Sequence, residues 1–136
     1  MWTAAAVFLM VLIFLFSAQN GMKSSAQSGF IRQLLSWLSA SRHMEHYLRK
    51  SAHFSIYFFL GFSIFKCLHF WSVPKTKALQ AALAVCLCLL YAGSDEFHQL
   101  FVPGRDGSLA DVLLDGCGGL SGSCLSCLFT FRFHDY

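Results

Sequence analysis

Four long apolar runs, at about residues 2–18, 51–71, 78–99 and 108–131, fill most of this chain. A helix needs roughly 20 mostly apolar residues to cross about 30 Å of bilayer hydrocarbon. Each run is therefore read as a transmembrane helix, and the chain as an all-α integral membrane bundle of four such helices. Its 136 residues make a single domain, 1–136, with no length left for a separate soluble one. Residues that are 56% hydrophobic and only 12% charged do not suit a soluble globule. The net charge of +3 is scattered, which gives no reason to invoke nucleic acid and makes membrane lipid the natural partner. All six cysteines (Cys67, Cys86, Cys88, Cys117, Cys124 and Cys127) lie in apolar segments and read as packing residues, not as a disulfide framework. Cys124 and Cys127 have metal-site spacing, but no second pair or flanking His completes a tetrahedral set, so neither metal nor cofactor is expected.

The connections carry the remaining signals. The first run lacks the basic start of a secretory signal and is read as a retained helix. Lys66 interrupts the second run and is expected to snorkel. Pro74, Lys75 and Lys77 mark a short connector before the third run, which continues into Ser94-Asp95-Glu96-Phe97-His98-Gln99. A turn, Val102-Pro103-Gly104-Arg105-Asp106-Gly107, then leads to Ser108 and Asp111, which have the spacing of a capping box. In the long connection after the first run, Phe30, Ile31, Leu34, Leu35 and Leu38 recur at helical spacing opposite Arg32, Gln33, Ser36 and Ser39. That stripe predicts an interfacial amphipathic helix at about 28–40.

If every run spans, the chain crosses back and forth. The end of the first helix, the start of the second, the end of the third and the start of the fourth then share one membrane face. At those four places lie Ser17 and Gln19; Arg49, Lys50, His53 and Tyr57; Asp95, Glu96, His98 and Gln99; and Arg105, Asp111 and Asp115. Lys50, His53 and Tyr57 follow one helical face, as do Asp111, Asp115, Gly118 and Gly122. The Gly118 to Gly122 step would let a neighbouring backbone approach beneath the carboxylates. A carboxylate at the bilayer centre costs about 2.5 to 3.5 kcal/mol, so these acids need partners, and Lys50, Arg49, Arg105 and His53 are at hand. Mutual neutralisation alone, with Asp111 capping a helix, is the plainer alternative.

Three blocks in this order resemble the VanZ-like family of bacterial membrane proteins: Phe16-Ser17-Ala18-Gln19; Arg49-Lys50-Ser51-Ala52-His53-Phe54 with Tyr57 and Gly61; and Ser94-Asp95-Glu96-Phe97-His98-Gln99-Leu100-Phe101-Val102-Pro103-Gly104-Arg105 followed by Asp111 and Asp115. The third block is the most specific. The resemblance implies a four-helix protein of the bacterial cell membrane, in a family named for a protein associated with resistance to the glycopeptide teicoplanin, but it supplies no settled reaction. Family members often carry a single Gly after the last acidic or amide position. This chain reads Asp115-Gly116-Cys117-Gly118-Gly119, which questions the straightness of its last helix.

Two classes of function fit. In the first, the chain processes an amphiphilic envelope component, a lipid-linked cell-wall intermediate or a glycopeptide antibiotic, with its head in a polar pocket and its tail between helices. His53 would carry the proton, since imidazole both takes and gives one near neutral pH. Asp95 or Glu96 would orient it or act as base. Arg49, Lys50 and Arg105 would hold phosphate or carboxylate, with Ser17, Gln19, Tyr57, Gln99, Asp111 and Asp115 completing the binding set. Ser17 becomes a nucleophile only if His53 comes within hydrogen-bond reach. A metal held by His53, Asp95, Glu96, His98 and Asp115 ranks lower for want of a local motif, and His98 reads better as a packing residue. In the second class the chain binds the same ligands without chemistry. A small proton-linked transporter is a third option, weakened by the lack of a repeat. Raw counting of basic residues puts the site inside, but with Arg49, Lys50 and Arg105 discounted as site residues the balance tips toward cytoplasmic termini and an outward-facing site.

Overall fold

The computed structural model describes residues 1–18, 42–103 and 107–132, with the side chains of 42–46, 131 and 132 left aside. They form four α-helices in chain order: α1 (Trp2–Ser17), α2 (Arg42–Trp71), α3 (Lys77–Gln99) and α4 (Leu109–Arg132). Among the described residues there is no strand. Tyr47–Trp71, Lys77–Gln99 and Leu109–Thr130 are long and apolar enough to cross a membrane. α1 is more apolar than these but shorter, and its 16 residues reach about 24 Å at 1.5 Å per residue. The interfacial helix expected at 28–40 lies outside the described residues.

Helix starts follow local chemistry more than hydropathy. α2 begins at Arg42, well ahead of the apolar run at Ser51, because residues 42–50 contain no Gly or Pro to break it. Polar composition there ends the membrane-buried part without ending the helix. At the other end Ser72 turns into the left-handed region with φ 54 and stops it. Thr76 then caps α3 by accepting the Leu79 N–H at 3.4 Å.

The packing is that of a chain folded for hydrocarbon. Bulky side chains such as Phe8, Phe59, Leu90 and Leu128 point outward, whereas the interior is built from Ala6, Ala84, Cys88, Ala92, Ser63, Ser123 and a few large residues including Tyr57, Leu60 and Phe65. Lipid tails are as apolar as leucine, so helix association rests on close approach of small residues and on interhelical hydrogen bonds. The closest approach joins α2 and α4, which run parallel. A Cβ on Gly118 would fall 2.5 Å from the Phe54 carbonyl oxygen, and one on Gly122 or Gly61 would strike the backbone of Phe58 or Gly119. Within this seam the Ser123 hydroxyl is shared between the carbonyls of Gly119 at 2.8 Å and Gly61 at 3.2 Å.

The additional glycines do not break α4, which is continuous from Leu109 to Arg132. They serve its second contact. A Cβ on Gly119 would fall 2.6 Å from Cβ of Cys88, and one on Gly116 would strike Leu89, both on α3. α4 thus offers one glycine face to α2 and another to α3. α1 completes the bundle: Tyr91 donates its hydroxyl to the Met10 carbonyl at 2.6 Å, and Trp2 packs on Phe62 with ring centroids 5.8 Å apart.

These contacts order the glycines. Gly122→Ala and Gly61→Ala force backbone apart and are expected to destabilise the bundle by about 1–3 kcal/mol, the usual cost of overpacking. Gly93→Ala meets nothing within 4 Å and should be neutral or slightly stabilising. Denaturant unfolding in detergent micelles, followed by circular dichroism, checks the ranking.

Candidate functional site

The glycine seam continues upward into charge. One face of α2 carries Lys50, His53 and Tyr57, and the matching face of α4 carries Asp111 and Asp115. Because the two helices run parallel in close register, these residues meet in pairs. Lys50 Nζ lies 2.8 Å from Asp111 Oδ1, approaching off the hydrogen-bonding directions, with both side chains about a third exposed. One turn deeper, His53 Nδ1 stands 3.6 Å from Asp115 Oδ2, a distance for charge attraction and slightly long for a hydrogen bond. His53 keeps 26% of its side chain exposed while Asp115 keeps 1%. The outer pair is open and the inner carboxylate is sealed beneath it.

The end of α3 supplies the second group. Asp95, Glu96 and Gln99 are all buried. Gln99 Nε2 donates to Asp95 Oδ2 at 3.0 Å and to Glu96 Oε1 at 3.5 Å. Glu96 Oε2 accepts the backbone N–H of Ser108 at 2.8 Å. That bond corrects the expected capping box. Ser108 is the N-cap of α4, but the acceptor for its N–H is Glu96 from the preceding helix, and Asp111 has turned to Lys50 instead. An ammonium at contact distance is the better partner for a carboxylate, and Glu96 is then left to fasten α3 to α4.

His53 meets an acid of α4. Asp115 faces the imidazole, whereas Asp95 and Glu96 accept bonds from Gln99 and Ser108. Parallel register explains it, since α2 meets α4 edge to edge along this stretch. Tyr57 is fully buried one turn below His53, its ring 6.5 Å from that of Tyr91. Ser17 is also fully buried, at the end of α1. Its hydroxyl has no hydrogen-bond partner among the described residues, so the condition for its acting as nucleophile, a bond to His53, is not met. His98 packs its ring on Phe14 at 5.0 Å, consistent with a packing role. Arg49 is exposed on the rim, while Gln19 and Arg105 lie outside the described residues.

Several buried polar atoms in this region have no hydrogen-bond partner among the described residues: the hydroxyls of Ser17 and Tyr57 and both carboxylate oxygens of Asp115. Native structures satisfy most such groups, and here the exceptions concentrate at the acidic end of the bundle. Tyr91 belongs to this region and was not anticipated. Its signal is a tyrosine inside an apolar run, about one turn before Asp95.

If Glu96 fastens α3 to α4, Glu96→Ala should cost about 1–3 kcal/mol, the usual penalty for removing a charged acceptor from a buried donor. Glu96→Gln, which retains an acceptor oxygen, should cost less. Chemical denaturation of both variants in micelles measures the difference.

No curated protein and no solved structure gives a significant match to the chain. A family model does, over residues 2–130, essentially its whole length. With three helices of membrane-spanning length and a shorter apolar one beside them, the chain belongs to the VanZ/LLP1 family of membrane proteins.

Proposed function

We propose that the polar end of the bundle binds the head of an amphiphilic envelope component, a lipid-linked cell-wall intermediate or a glycopeptide antibiotic, and that His53 moves a proton in its conversion. The observation that carries this reading is His53 beside a carboxylate sealed from the surroundings. Asp115 would fix the ring's orientation and stabilise the imidazolium, a task that needs a carboxylate but not its protonation. Lys50, held by Asp111 at the partly open rim, and Arg49 beside it would attract phosphate or carboxylate. Tyr57 and Ser17 offer hydroxyls to the head group from below. A contribution to glycopeptide resistance follows from the same reading and from the family.

One observation favours a binding protein without chemistry. Asp95 and Glu96, two of the acids expected to do proton work, are engaged as acceptors within the fold. The two readings part in a single experiment. Purified protein in lipid nanodiscs is incubated with a radiolabelled lipid-linked cell-wall intermediate, and the bound fraction is analysed by mass spectrometry. A product of altered mass, formed roughly 100-fold or more slowly by His53→Ala and Asp115→Asn while binding is retained, is the expected result for general acid–base chemistry. Retained binding with an unaltered ligand would leave the binding reading. Absence of binding by the unmodified protein would end both.

We further propose that both termini are cytoplasmic and that the polar end faces outward. Lys50→Cys should then react with a membrane-impermeant thiol reagent added to intact cells, and Lys75→Cys only after lysis, on a background lacking the native cysteines. The reverse pattern would invert the protein in the membrane.

A further inference from the structure

Below the polar end, a cleft of about 460 Å³ opens between α1 and α3, with α2 as its floor. Ala6 and Met10 line it from α1, Leu60 and Ile64 from α2, and Leu87 and Tyr91 from α3. The floor is recessed: Leu60 is fully buried, whereas Leu87 on the α3 wall is 40% exposed. The volume falls within the range of about 300–1,000 Å³ typical of small-ligand sites. Almost every lining atom is carbon, so the natural occupant is hydrocarbon.

Direction identifies which hydrocarbon. On all three helices the lining leads toward the polar end: Ala6 and Met10 toward Ser17, Ile64 and Leu60 toward Tyr57 and His53, Leu87 and Tyr91 toward Asp95. From Leu60 to His53 is about 10 Å along the helix and from Tyr91 to Asp95 about 6 Å, at 1.5 Å per residue. Tyr91 stands at the junction. Its hydroxyl ties α3 to α1 through the Met10 carbonyl, and its ring faces Tyr57. The lining ends at Tyr91 and Ser94, next to Asp95, and the fully buried Tyr57 lies between the cleft and His53.

We propose that the cleft seats one hydrocarbon chain of the amphiphile, entered sideways from the bilayer between α1 and α3. This rests on the reading of the polar end as a head-group site. Tyr91 is the positioning residue where chain meets head, and its bond to Met10 holds the two walls at the width of a single chain.

The test uses the full chain in nanodiscs with a mono-acyl phosphate amphiphile carrying a diazirine at mid-chain, and a second probe with the diazirine on the head. After irradiation, labelled positions are mapped by mass spectrometry. Mid-chain labelling is expected at Met10, Ile64 and Leu87, to be displaced by excess unlabelled amphiphile. Head labelling is expected around His53 and Lys50. Leu87→Trp, at a partly exposed position that tolerates bulk, should lower mid-chain labelling about tenfold, equivalent to ~1.4 kcal/mol. Labelling spread evenly over outward positions such as Phe8, Leu120 and Leu128, and not displaced by competitor, would mean bulk lipid only and would overturn the proposal. Displaceable cleft labelling without head labelling at the polar end would keep the chain seat and overturn the head-group reading instead.

Discussion

The parallel contact of α2 with α4 is the constraint on which the rest depends. Where Gly61, Gly118 and Gly122 remove side chains, the two backbones touch, and nothing in that seam can slide without collision. Register is consequently shared along the whole pair. It runs from Lys50 with Asp111 and His53 with Asp115 at one end, through Ser123 with Gly61, to Lys66 donating to Thr130 at 3.0 Å at the other. The charged pairs are the upper part of the stripe whose lower part is glycine. Packing without side chains below is what aligns side chains above.

That arrangement divides polar work between the two ends. At the end away from the acids, polar groups are spent on the fold: Lys66 reaches Thr130, His69 Nδ1 lies 3.1 Å from Gln80 Oε1, and Gln80 Nε2 donates to the Pro74 carbonyl at 2.6 Å. Deep hydroxyls return to their own helix, as Thr130 does to the Ser126 carbonyl. The unpartnered buried atoms gather instead at the acidic end, with the Ser126 hydroxyl as the exception among the described residues.

Much of this was legible in the sequence because hydrocarbon enforces it. Apolar runs fixed the number of helices, alternation brought Lys50, His53, Asp95, Glu96, Asp111 and Asp115 to one face, and helical spacing showed that Asp115 and Gly118 share a stripe. Partner choice was not legible. A spacing rule sees Ser108 with Asp111 and cannot weigh Lys50, which lies far away in sequence but closer in space. Nor could it tell which of three acids faces His53, since that depends on which helix lies alongside α2. The glycines after Asp115 were read against straightness because sequence shows flexibility before it shows a neighbour, and the neighbour is Cys88.

The same logic bears on why a membrane protein would keep Asp115 where it is. A sealed carboxylate is costly, and its facing imidazole at 3.6 Å is too far to return a full hydrogen bond. Replacing the pair with apolar residues would relieve that cost without disturbing the glycine seam one turn below. The seam holds register independently, as its contacts are to backbone and not to charge. Asp115 therefore stands on the seam's register without supplying it, and its position opposite His53 is set by the glycine contacts below.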